Sequence, residues 1–330
     1  MKLIRIKYLF LLFICWFADS QAQEIYKRSL GLMGSDFDIT VVAKDKEEAN
    51  NYIDIAVNEI ERIEQLISSW KSTSQTTEIN SNAGIKPVQV DKELFDLIKR
   101  AKAISQLTDG AFDISFAAID KIWVFDGMES ELPDEETLKA SVQHIGHDKI
   151  ILDEKQQTVF LKEKGMKIGF GAIGKGYAAD KAKSLLQSKG VSAGIINASG
   201  DMNAWGTQPN GSSWKVAITN PMDKSANYGL FDLNREAVVT SGNYEKYTMI
   251  DGKRYAHIID PRTGMPTQGI LSVTIFAPKA ELADALATSV FVMGDEVGIN
   301  LIDQLPDVEA IIVKDNGQLI ISKQIKIDSK

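Results

Sequence analysis

The sequence predicts a mixed α+β fold, a single α/β domain with a strand-rich second half. Two observations predict it. After about residue 190, short segments of strand length crowd the chain without the regular strand–helix alternation of a doubly wound parallel sheet. No tandem repeat or low-complexity linker divides residues 23–330, and 44% hydrophobic residues can fill one large core.

The elements follow in order. Residues 29–42 alternate around Met33-Gly34-Ser35 and read as a strand pair. Between Lys46 and Leu66, Ile53, Ala56, Val57, Ile60, Ile63 and Leu66 recur at helical spacing. A Ser/Thr-rich stretch from Ser68 to Ser81 carries Trp70, and a second helix over 92–107 stops at Asp109-Gly110. The acidic segment 127–137, with Pro133, is a loop before a short helix. Strands are expected at 149–153, 157–161 and 165–170, and Gly171–Gly176 then leads into a helix over 177–189. The second half reads as strands at 193–198, 214–219, 229–233, 237–240, 247–250 and 273–276. Helices at 282–291 and 296–304 and strands at 308–314 and 317–323 complete it.

Residues 1–22 are a different kind of segment. Lys2, Arg5 and Lys7 precede an apolar run from Tyr8 to Phe17, and Ser20-Gln21-Ala22 supplies small residues for cleavage. That is the order of a secretory signal peptide, too short for a membrane span, so the mature chain is expected to start near Gln23 and be exported and soluble. Cys15 is the only cysteine, and Ile14 before it lacks the small side chain of a lipoprotein signal. The mature protein should therefore have no lipid anchor, disulfide or thiolate chemistry. A net charge of -8, with no basic tract, argues against a nucleic-acid partner.

Three segments carry candidate chemistry. In Arg254–Pro266 a short apolar run delivers His257 and Asp260 to a Pro-Arg-Thr-Gly turn with Arg262; the alternative is a surface hairpin that satisfies itself. Gly169–Gly176 matches Gly-x-Gly-x-x-Gly, but no acidic residue ends the next strand, which argues against a dinucleotide fold. Gly176 also stands where a phosphate-binding loop needs Ser or Thr. What remains is close backbone approach, a helix N-terminus and the charge of Lys175, or simply tight packing. Asp284 and Thr288, four apart, share a helix face and could hold Mg2+ with waters and phosphates; alternatively Asp284 is a helix cap. His144 and His147 read as structural.

Eight motifs occur in order: Met33-Gly34-Ser35, Ser69-Trp70, Gly110–Asp113, Gly171–Asp180, Ser199-Gly200-Asp201, Thr240–Tyr244, His257–Gly264 and Ala283–Thr288. Together they resemble those of the ApbE-type flavin transferases, the FAD:protein FMN transferases. The resemblance implies an ApbE-type domain over residues 23–330, FAD as substrate and Mg2+ as cofactor. It implies cleavage of FAD and attachment of FMN, through a phosphoester, to a threonine of an exported acceptor flavoprotein, with release of AMP. Typical acceptors are subunits of membrane redox complexes, which implies a periplasmic site of action. Carried over residue by residue, Met33, Trp70, Ala111, Phe112 and Asp113 line the FAD site, Lys175 lies near the phosphates, and His257 and Ile259 lie against the cofactor. The metal ligands fall on the Ala172 carbonyl, Asp284 and Thr288. Ser35 replaces the usual Thr, and Ser199 replaces the first Gly of Gly-Gly-Asp. Gly169 stands where an acidic residue is common, leaving Phe170 or water to replace a direct FAD contact.

The chemistry also follows from the residue types. Attack on a pyrophosphate needs charge neutralised, which Lys175 with Mg2+ at Asp284 can do, and a hydroxyl nucleophile gains from a base. His257 is the only histidine in the cluster, with Asp260 available to orient it. Two other readings stay open: an FAD pyrophosphatase with water as acceptor, and a non-catalytic flavin-binding protein, against which Asp284 and Thr288 argue.

Overall fold

The first strand pair is longer than its alternation predicts. β1 (Glu24–Leu32) and β2 (Ser35–Ala43) pair antiparallel, with Leu32 opposite Ser35. Met33 and Gly34 both take positive φ, 52° and 70°, as a tight two-residue hairpin turn requires. The computed structural model describes residues 23–233, 237–243, 246–323 and 325. The signal peptide read in residues 1–22, and Tyr244 of the Thr240–Tyr244 motif, lie outside the described residues.

The chain continues through α1 (Lys46–Ile67), α2 (Gln75–Ser81), β3 (Val88–Gln89), α3 (Lys92–Leu107), α4 (Glu135–Ser141), β4 (Ile150–Asp153), β5 (Thr158–Leu161) and α5 (Gly174–Ser188). Then come β6 (Gly194–Ala198), β7 (Asp201–Trp205), β8 (Lys215–Asn220), β9 (Asp223–Asp232), β10 (Ala237–Gly242), β11 (Tyr247–Ile250) and β12 (Lys253–Ala256). The last elements are β13 (Ile270–Ala277), α6 (Ala280–Met293), α7 (Asp295–Ile302), β14 (Glu309–Lys314) and β15 (Leu319–Ile321).

An eight-stranded sheet, β1-β2-β6-β7-β10-β13-β14-β15, is antiparallel at every pairing, which rules out the doubly wound alternative. Phe37, Ile39 and Val41 of β2 point to one face and meet Ile53, Ile60 and Ile63 of α1 and Ala178, Ala182 and Leu186 of α5. Each of the Phe, Ile, Val and Leu side chains among them contributes roughly 1.5–3 kcal/mol by leaving water. Further along the same face, Val273 and Ile275 of β13 pack on Ala283, Leu286 and Val290 of α6. The hairpin β8–β9 covers the opposite face through Val216 and Ile218, against Val238, Phe276 and Ile311. β13 is thus buried along its whole length and reads as a continuous apolar run. No helix among the described residues is long and apolar enough to cross a membrane.

Three parts differ from the sequence expectation. The segment 165–170 is not a strand: the Asn80 amide brackets Ile168, accepting its N–H at 2.7 Å and donating to its carbonyl at 2.9 Å. A side chain there takes the place of a ladder partner. The Ser/Thr-rich stretch contains α2, capped by Ser74 through the Thr77 N–H. β7 and β12 were not expected, because Asp201, Asn203, Lys253 and Arg254 interrupt their apolar pattern.

Candidate active site

α5 and α6 start side by side, and their contact builds the centre of the site. A Cβ on Gly176 would sit 2.2 Å from the Ala280 carbonyl oxygen, so only glycine lets the two helices approach this closely. That close packing, not a phosphate loop, explains the glycine at the Ser/Thr position. The Gly176 N–H donates to Asp284 Oδ2 at 3.3 Å, and Asp284 is buried. Asp284 therefore does not cap its own helix; it faces α5 from the second turn of α6.

Beside it, Lys175 pairs with Asp201, which comes from the start of β7. Burial opposes the Lys175 charge, but the Asp201 and Asp284 carboxylates outweigh it and raise its pKa. The Asp284 carboxyl is pushed well above the usual range, by burial first and then by Asp201. Burial and mutual repulsion oppose ionising both carboxyls beside the one ammonium, and a bound cation would relieve that repulsion and favour the carboxylate forms.

These groups open into a cavity of about 520 Å³. Lys175, Asp201 and Asp284 line it with Thr288, one turn beyond Asp284, and with Ala172 of the glycine loop. A carboxylate, a hydroxyl and a backbone carbonyl are hard oxygen donors, a set that suits Mg2+. Asp284, Thr288 and Ala172 are thus the residues that would hold it.

The other wall comes from the loop after α3. Asp109 and Gly110 turn with positive φ, 49° and 74°, and Ala111, Phe112 and Asp113 follow along the lining. Asp113 shapes this wall rather than presenting a free carboxylate. Its Oδ1 accepts from the Ser115 N–H and Oγ at 2.8 and 2.6 Å, and its Oδ2 accepts from the His147 N–H at 2.7 Å. His147 thus serves the loop through its backbone N–H, and the His144 ring packs over Gly165. Trp70 stands at the rim, 87% exposed. Met33 is not among the lining residues; its methyl lies beside Gly174, under the glycine loop. At Gly169 an added Cβ would meet the Ala117 Cβ at 3.0 Å, so Ala117 takes much of the room an acidic side chain would need.

His257 and Ile259 complete the lining. The His257 ring reaches solvent, lies edge-on to Phe125 at 6.5 Å between centroids, and has Nδ1 3.2 Å from the Lys246 carbonyl. A carbonyl can only accept, so that contact puts the neutral ring's proton on Nδ1 and leaves Nε2 free to take one. Desolvation by surrounding protein lowers its pKa, with the Lys246 carbonyl opposing. Asp260 does not orient His257, contrary to the sequence expectation. It grips Arg262, with Oδ1 2.9 Å from Nε and Oδ2 2.8 Å from an NH2 nitrogen, because the Asp260–Met265 turn folds the guanidinium back onto it.

A family model described as "ApbE family" matches residues 33–312. The chain belongs to the ApbE family. Its relatives include an FAD:protein FMN transferase of Klebsiella pneumoniae (strain 342), 34% identical over 301 residues that cover 91% of this chain and 92% of that one. The FAD:protein FMN transferase of Escherichia coli (strain K12) is 30% identical, covering 84% and 81% of the two chains. Among solved structures, the ApbE protein from Thermotoga maritima matches with a TM-score of 0.82 at 31% identity, covering 93% of this chain and all of that one. The apo flavinyl transferase ApbE of Pseudomonas stutzeri matches with a TM-score of 0.80 at 25% identity, over 91% and 95% of the chains. The α+β fold is therefore that of ApbE proteins.

Sequence reasoning left out several residues of this ApbE site. Asp201, Thr240 and Ser241, to which the motifs assign no role, all line the cavity. The usable signal for Asp201 was its position after the Ser199-Gly200 turn, both residues with positive φ, at the start of a strand.

Proposed function

We propose that the protein is an Mg2+-dependent FAD:protein FMN transferase that modifies a threonine of an exported acceptor flavoprotein, a subunit of a membrane redox complex, and releases AMP. One observation carries the reading: Lys175, the oxygen donors Asp284 and Thr288, and His257 line a single cavity that has Trp70 at its mouth. The relatives' names supply the reaction class.

In the proposed step the threonine Oγ bonds to the phosphorus on the FMN side of FAD. The bridging P–O bond breaks, and its electron pair leaves on AMP. Lys175 holds the phosphates by charge, and the threonine proton passes to His257 Nε2. Phe112, Ile259 and Trp70 offer the apolar surface that a flavin ring needs. Mg2+ would supply Lewis-acid neutralisation of the phosphoryl oxygens when bound. The basic, apolar, small order of residues 1–22 supports export to the periplasm.

The test is incubation of the purified protein with FAD, Mg2+ and an acceptor domain, reading flavin fluorescence on a denaturing gel and AMP by chromatography. Covalent flavin on the acceptor's threonine is expected. FMN and AMP without labelled acceptor would instead establish the pyrophosphatase.

A further inference from the structure

α6 carries Asp284 and Thr288 into the cavity, yet nothing in its own sequence caps it. Lys279 stands at the N-cap and makes no side-chain cap hydrogen bond. The acceptor comes from another helix. Asp180, in the second turn of α5, takes the Ala280 N–H on Oδ1 at 2.9 Å and the Glu281 N–H on Oδ2 at 3.0 Å. A carboxylate there satisfies two end-of-helix donors and faces the positive end of the α6 dipole.

Asp180 is itself held in place. Asn203 of β7 donates through Nδ2 to Asp180 Oδ1, and Lys183 Nζ donates to Asn203 Oδ1 at 3.0 Å and to the Ala204 carbonyl at 2.9 Å. Two residues before Asn203, Asp201 pairs with Lys175 inside the cavity. Gly176 and Asp180 are one turn apart on α5, and their partners Ala280 and Asp284 are one turn apart on α6. α5, α6 and β7 are therefore clamped at two levels, one in the cavity and one behind it. Asp180 belongs to the rear level and is not among the cavity's lining residues.

We infer that Asp180 is a positioning residue for the metal site. By pinning the first turn of α6 from α5, it sets where Asp284 and Thr288 stand relative to Ala172 and Lys175. The inference rests on the metal reading proposed above.

The experiment compares full-length mature Asp180→Ala, Asp180→Asn and Arg100→Ala proteins with wild type. Arg100 also ties down the start of α6, through its 2.6 Å ion pair with Glu281, but leaves the helix amides alone. Mn2+ binding is read by electron paramagnetic resonance, and backbone exchange at Ala280 and Glu281 by mass spectrometry without metal. Losing an outer-shell support typically costs about 10–100-fold in metal affinity. Asp180→Ala should fall in that range, with faster exchange at both amides, while Arg100→Ala keeps wild-type Mn2+ affinity. Asp180→Asn, which keeps one acceptor oxygen, should lose less; it decides the matter if Asp180→Ala does not fold. Wild-type affinity in the Asp180 variant that decides, or an equal loss in Arg100→Ala, overturns the inference alone, as does unchanged exchange. No Mn2+ binding by wild type overturns the metal reading and the inference with it.

Discussion

The Gly176 amide donates to Asp284 Oδ2 at 3.3 Å, joining the first turn of α5 to the second turn of α6. Both helices are drawn together at the point where Lys175 and Asp284 meet in the cavity. A methyl group on Gly176 would collide with the Ala280 carbonyl oxygen. Gly176→Ala should cost about 1–3 kcal/mol in urea unfolding, the usual range for overpacking, and should lower transfer activity with it. A midpoint equal to wild type would show that α5 and α6 can separate freely.

Asp284→Ala removes one of the two proposed side-chain donors to the cation. Transfer should need at least about tenfold more Mg2+, equivalent to about 1.4 kcal/mol. The metal-free variant should melt no lower than wild type, because the buried Asp284 carboxyl repels Asp201. Unchanged Mg2+ dependence in a titration of the rate would remove Asp284 from the site.

His257→Ala should bind FAD but transfer FMN slowly. General-base catalysis is worth about 10²–10⁴-fold, and the loose transition state of phosphoryl transfer puts the loss at the low end. Desolvation by surrounding protein lowers the His257 pKa from the ordinary value of about 6.5, so the rate should fall at a lower pH than an ordinary imidazole would impose. Stability follows the same sign: the unfolded chain takes up this proton first, so stability drops as pH falls through that ordinary value. Weaker FAD binding with an unchanged single-turnover rate would make His257 a positioning residue instead.

Trp70 should matter for ligand and not for fold. At 87% exposure it contributes little to the core, so Trp70→Ala should change stability by less than about 0.5 kcal/mol. A ring stacked on the flavin would be worth about 0.5–1.5 kcal/mol, which fluorescence titration with FAD would read as a few-fold rise in Kd. An unaltered Kd would place Trp70 outside the flavin contact.

Glu93 links three helices: it accepts from Arg62 of α1 at 2.8 Å, from the Tyr177 hydroxyl of α5 at 2.7 Å, and pairs with Lys181 of α5 at 2.9 Å. Burial pushes its carboxyl up, yet these donors together hold it at about 2, below the ordinary 4.5. Stability from this group is present above pH 4.5 and is lost as pH falls towards 2. Glu93→Gln should destabilise by about 1 kcal/mol at pH 7, after allowing for solvent screening, and the difference should vanish near pH 2. A constant difference across an acid denaturation series would disprove the linkage.

The sequence by itself determined what depends on near neighbours. Helical periodicity in α1, α3 and α6, the Met33-Gly34 hairpin and the Asp260–Gly264 turn are all set within a few residues. The order of motifs was enough to indicate the family, and Lys175, Asp284, Thr288, His257 and Trp70, singled out from it, all line one cavity. Tertiary structure decided which charges meet. Asp201 found Lys175, Asp180 found the start of α6, and Asp260 turned to Arg262 and left His257 to the Lys246 carbonyl. Segment 165–170 has strand-like residues but is bracketed by Asn80, 88 positions away in sequence at Ile168. The physical reason is the same in each case. A buried polar group must be satisfied by whatever the fold brings within about 3 Å, and residue spacing along the chain does not encode that partner when it comes from another element.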